Sequence, residues 1–202
     1  MGKGETIGAS IMAWLVKEWH WPAASIFAAC FLLLLAPLWG SMAGMGLAIV
    51  YLQMPLYMFH QGEEHIGDRF RLYINRRVGK GREALTPIAT FWINALSVWG
   101  LNLAALYLAT FVDLSFGLAG VYLTLINGIG HIGQALAFRE YNPGLWTSLV
   151  LFVPVGAWGL YELGPLVTWK AHVLGIAVAV AVQAAIIGYI LRRARHLSRI
   201  SN

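Results

Sequence analysis

With 202 residues, 59% of them hydrophobic and 11% charged, and a mean hydropathy of +0.67, the chain has too little polar surface for a soluble globular domain and reads as an integral membrane protein. Its formal net charge of +5 is carried by segregated basic residues, which need no nucleic-acid partner; the partner they imply is the lipid bilayer. A single cysteine, Cys30, excludes a disulfide framework or a thiolate metal site within one chain and is read as a small packing residue.

In chain order, residues 1–20 read as an N-terminal interfacial segment, because Ile7, Ile11, Met12, Trp14, Leu15 and Trp19 are interspersed with Lys17, Glu18 and His20. The same charges interrupt any apolar core of a cleavable signal, so none is expected. Six apolar stretches follow, at about 21–39, 42–59, 85–111, 118–138, 145–160 and 167–191, each near the ~20 residues a helix needs to cross hydrocarbon. Gly40-Ser41 is expected to turn the first into the second. The fold class predicted is all-α, a polytopic transmembrane helix bundle of about six spans over residues 21–192, followed by a basic tail at 193–202.

Thirteen of the 14 Lys and Arg fall on one side of such a bundle, with Lys170 alone opposite. The positive-inside rule then puts both termini in the cytoplasm, for a multi-pass protein of the inner (plasma) membrane. Counting back from the basic boundary at about 1.5 Å per residue places His60, nine residues before Arg69, and His131, eight before Arg139, at one depth of about 12–14 Å. Gln183 sits at the same level. On the second span Gln53, Tyr57, His60 and Glu64 share a helical face; on the fourth Thr124, Asn127, His131 and Gln134 do; on the third Thr90, Asn94 and Ser97 follow helical spacing. Polar side chains in lipid must find one another or water, so the three stripes are expected to face a common cavity open to the cytoplasm.

His60 and Glu64 stand at i and i+4, and both can reach one ion; His131 supplies a second imidazole. Two histidines and a carboxylate suit a divalent metal with an open position, Zn²⁺ ahead of Fe²⁺. Glu63 is then the candidate catalytic acid/base, with Asn94, Asn127 and Gln134 orienting ligands or substrate. Arg139 and Tyr141 are expected at the cavity mouth, where a guanidinium would hold the headgroup of an amphiphilic or apolar small molecule. His65 is expected to turn away from this cluster. Hydrolysis leads the reaction classes, ahead of metal-dependent oxidation or isomerisation. A small proton-coupled transporter, or a metal-free binding protein using the same cluster, is the alternative.

The run His60-Gln61-Gly62-Glu63-Glu64, with Asn127-Gly128-Ile129-Gly130-His131 and Tyr141-Asn142-Pro143-Gly144 downstream, resembles the HXXEE family of small bacterial multi-span membrane proteins over about residues 45–190. The resemblance implies that His60, Glu63 and Glu64 are signature residues and names no reaction. The layout is also loosely similar to membrane hydrolases of the alkaline ceramidase type, which use zinc between helices but differ in helix count and ligand pattern.

Overall fold

The computed structural model describes residues 11–200, so the first half of the expected N-terminal interfacial segment lies outside the described residues. From residue 21 onward the chain is helical apart from short turns: α1 is Trp21–Ala43, α2 Met45–His65, α3 Arg69–Arg77, α4 Pro87–Phe111, α5 Leu118–Phe138, α6 Leu145–Leu166 and α7 Trp169–Ile200. Among the described residues, α1, α4, α5, α6 and α7 are long and apolar enough to cross a membrane. The remaining long helix, α2, has 21 residues but carries Gln53, His60, Gln61, Glu63, Glu64 and His65, and it is the most enclosed of the set. The apolar helices make this a membrane-associated helical bundle.

The first turn falls later than the sequence suggests. Gly40 and Ser41 are helical, with Ser41 Oγ donating to the Leu38 carbonyl, and the chain reverses at Gly44, whose φ of +86° suits a residue without Cβ. α1 then returns along α2: Tyr51 Oη donates to Leu32 O at 2.7 Å, Trp39 stacks on Tyr51, and a Cβ on Gly62 would lie 2.3 Å from Ile26 Cδ1. Cys30 is exposed on the outer face of α1 rather than packed; Trp21, Ser25 and Ala29 are the buried residues of that helix.

The basic stretch after α2 is built, not loose. α3 occupies its first half, and buried Asn75 clamps the second: its Nδ2 donates to Leu85 O at 2.9 Å and its Oδ1 accepts from Leu85 N at 2.8 Å. Thr86 caps α4 by accepting from Ala89 N, with Pro87 at the first helical position. α4 widens into a π-helix over Ile93–Gly100 and α6 does so over Ser148–Phe152, and both irregular turns border the centre described below. α7 has 32 residues, roughly 48 Å of helix, so it continues through Arg192, Arg193, Arg195 and Arg199 instead of ending before the basic tail.

Ion pairs gather the basic ends. Arg77 and Arg76 on α3 both bind Glu140, just past α5, whose carboxyl the Arg77 guanidinium holds below its usual range. Arg193 Nε donates to Glu83 O at 3.2 Å. At the opposite end Ile49, Val50, Ala109, Leu118, Val121 and Leu163 make a wholly apolar cluster. The polar cluster therefore lies between an apolar plug and a basic rim.

Candidate metal centre

His60, on α2, and His131, on α5, face each other with ring centroids 4.8 Å apart, and Phe152 from the π-turn of α6 lies against His60 at 4.2 Å. Both imidazoles are buried, at 0% and 4% exposure, and Glu64 between them is 6% exposed. Glu64 Oε2 lies 3.6 Å from His60 Nε2 and Glu64 Oε1 3.3 Å from His131 Nε2. One donor atom from each of the three residues falls within 4.8 Å of the others, a group that could hold a metal ion.

The tautomers follow from the partners on the far side of each ring. Thr147 Oγ1 has one hydrogen, which it donates to the Glu63 carboxylate at 2.6 Å, so the 2.7 Å contact between His60 Nδ1 and Thr147 Oγ1 requires Nδ1 to be the donor. Asn142 Nδ2 donates to the carbonyl of His131 at 2.9 Å, which fixes its amide; its Oδ1 must then accept from His131 Nδ1–H at 2.7 Å. In the neutral rings both Nε2 lone pairs are left directed at a carboxylate that can only accept. Among the described residues His60 Nε2 is a buried nitrogen without a hydrogen-bond partner. Three convergent acceptors of this kind could hold a cation, and imidazoles oriented through Nδ1 by outer partners are suited to metal ligation.

Glu63 points the other way. Its two oxygens accept from Tyr141 Oη, Trp146 N, Thr147 N and Thr147 Oγ1, so it binds the first turn of α6. Burial and that carboxylate push the Tyr141 phenol up to about 12, keeping it a donor. The turn that leads there, Tyr141-Asn142-Pro143-Gly144, is part of the centre. Gly144 has φ +102°, and a Cβ on it would lie 2.6 Å from His131 Cε1 and 2.8 Å from His60 Cε1. Glycine lets the turn close over both rings.

His65 does not turn away. It is 7% exposed, with Nε2 3.3 Å from Glu64 Oε2 and 3.0 Å from Asn94 Nδ2. A directed chain reaches it from the indole of Trp99: Nε1 donates to Gln61 Oε1, Gln61 Nε2 donates to Asn94 Oδ1, and Asn94 Nδ2 faces His65 and Thr90 O. Asn94 is thus brought to His65 rather than to a member of the ligand set. Asn127 and Gln134 line a cavity of about 220 Å³ that begins at Glu64, His65 and His131, and Gln134 Oε1 is a buried acceptor without a partner. Arg139, left-handed at φ 51°, ends α5, and neither it nor Tyr141 lines that cavity. Gly128 packs against Phe152, while Gly130 and Gly133 border open space.

A family model described as "Protein of unknown function with HXXEE motif" matches residues 51–159, more than half of the chain. The chain belongs to the HXXEE family. No curated protein and no solved structure matches it. Each position of the HXXEE run has a distinct place here: His60 and Glu64 converge with His131, Gln61 ties α4 to the cluster, Gly62 seats α1, and Glu63 holds the start of α6. Sequence reasoning missed Gln61, Asn142, Gly144 and Thr147. A signal for the second and third is present, since Asn142 and Gly144 belong to the YNPG run that carries part of the resemblance to the family, eleven and thirteen residues after His131.

Proposed function

We propose that this HXXEE protein is a metal-dependent membrane enzyme, with His60, Glu64 and His131 holding a divalent ion, Zn²⁺ ahead of Fe²⁺, and a lipid or other apolar molecule as substrate. The observation that carries this is the pair of Nδ1-anchored imidazoles whose Nε2 atoms both face Glu64. A bound ion of this kind polarises a carbonyl or phosphoryl oxygen and acidifies water, which favours hydrolysis over oxidation or isomerisation. The residues of the chain do the rest. Thr147 and Asn142 keep the rings in one tautomer, and Glu63 acts as a positioning residue through Thr147, since its use as an acid/base would require giving up its hold on α6. Gln134 offers its free acceptor to a hydroxyl or amide of the substrate.

The basic rim supports a cytoplasmic setting for the centre, with both termini on that side of the plasma membrane. Transport by the same cluster fits less well, because a conduit would have to pass the apolar plug of Ile49, Leu118, Val121 and Leu163. Elemental analysis of protein purified without chelator tests the reading. About one equivalent of Zn or Fe is expected in the native chain and almost none in His60→Ala and His131→Ala. A native protein that stays metal-free after incubation with either ion would overturn it.

A further inference from the structure

We propose that the cavity at the metal centre is loaded sideways from the bilayer, through a portal between α5 and α7, by a fatty acyl chain whose polar end reaches Glu64 and His131. The proposal rests on the enzymatic reading for the polar end, and on the cavity alone for the chain. Of the residues that line the cavity, two are exposed on the surface of the bundle: Gly130 on α5 and Ile187 on α7. These belong to facing helices. Gly130 lies nine residues before Arg139 and Ile187 five before Arg192, which places the opening about 7–14 Å from the basic rim, at the level of hydrocarbon and not of headgroups or water.

The two helices are arranged to leave this gap. At the apolar end they touch, since a Cβ on Gly175 of α7 would lie 2.9 Å from Tyr122 Cδ2 and 3.0 Å from Leu118 Cβ of α5. Towards the basic rim α7 leans on α3 and the start of α4 instead, with Ile190 buried against Tyr73, Ile74 and Leu85 and Arg193 bonded to Glu83 O. The helices are therefore joined at one end and parted at the other. Gly130 keeps the gap clear: a Cβ there would meet nothing within 4 Å.

The wall states what passes. Aliphatic side chains such as Ile126, Ile187 and Ile190 make up much of its sides, with the uncharged amides of Asn127, Gln134 and Gln183 among them, and the ionisable groups Glu64, His65 and His131 are buried towards its inner end. Branched aliphatic walls with charge confined to one buried end suit a hydrocarbon chain with one polar terminus. Free fatty acids and the acyl chains of phospholipids share that chemistry.

The test uses two photoreactive probes, palmitic acid and phosphatidylcholine, each with a diazirine near the end of the acyl chain, and the full chain in phosphatidylcholine nanodiscs. After irradiation, peptides containing Ile126, Ile187 and Ile190 should carry the label. Gly130→Trp should lower that labelling about tenfold, and Ile187→Trp, from the opposite helix, should do the same. Gly133→Trp, also in open space but outside the wall, should leave it unchanged, and all three should keep the metal content of the native chain. Labelling by both probes assigns membrane lipid as the source, and labelling by palmitic acid alone assigns free fatty acid. Labelling spread over the outer faces of α1 and α6 and indifferent to Gly130→Trp and Ile187→Trp would overturn the portal, as would equal loss in Gly133→Trp. Absence of metal in a chain that labels as expected would instead overturn the enzymatic reading and leave the portal standing.

Discussion

α1 and α2 have 23 and 21 residues, meet at one glycine and lie side by side, yet they treat the membrane in opposite ways. α1 is almost uniformly apolar and turns three residues inward; α2 buries thirteen, among them Gln53, His60, Gln61, Glu64 and His65. In water the more apolar helix would be the interior one. In lipid the apolar helix is already solvated, and the polar one has to be wrapped. High hydropathy here marks the outside of the bundle, and the helix that falls short of a membrane span on composition is its axis.

The sharpest way to break this contrast is to crowd the interior. Gly144→Ala adds one carbon where both imidazoles lie within 3 Å and forces a left-handed φ on a residue with Cβ. It should destabilise the fold by about 3 kcal/mol or more and abolish metal retention, read by thermal unfolding in detergent and by elemental analysis. Retention of both would mean that the turn does not close over the rings.

The exterior should respond to charge instead of bulk. Leu34 on α1 is 74% exposed, near the middle of the helix. Leu34→Asp should raise the cost of membrane insertion by about 3 kcal/mol, and Leu34→Ala by under about 1 kcal/mol, in a translocon insertion assay. Equal tolerance of both would show that this face meets protein or water and not lipid. The seam between the two helices should matter least. Tyr51→Phe removes the 2.7 Å bond to Leu32 O and should cost only about 0.6 kcal/mol in unfolding measurements, so a large loss would mean that the pair is held by that bond more than by packing.

Much of this architecture is legible in the sequence because hydropathy runs and the placement of Lys and Arg respond directly to the bilayer. The grouping of His60, Glu64 and His131 is legible for a related reason: His60 and His131 can be set at one depth by counting from the basic boundary, and i, i+4 spacing adds Glu64. What counting cannot give is rotation about each helix and closure of the chain. Helical spacing turns His65 away from the cluster, but it follows Glu64 at the end of α2, where a bend through Ile66 and Gly67 and the widened turn of α4 bring Asn94 to meet it. Glu63 looks like a second acid beside Glu64, and only the return of the chain at Thr147 shows where its oxygens go. The reversal at Gly44 rather than Gly40 follows the same pattern, since a glycine inside an apolar helix and one ending it look alike until φ is known.

The bond between Glu63 and Thr147 spans 84 residues of sequence. On the ribosome, at roughly 5–20 residues per second, α2 therefore leaves the exit tunnel about 4–17 s before the segment that receives its carboxylate has been made. Throughout that interval its polar face lacks α6, and for most of it α5 as well. The newborn chain is then a hairpin with an unsheltered acidic edge, which ties its safe delivery into lipid to whatever holds α2 beside the translocon until the sixth helix arrives.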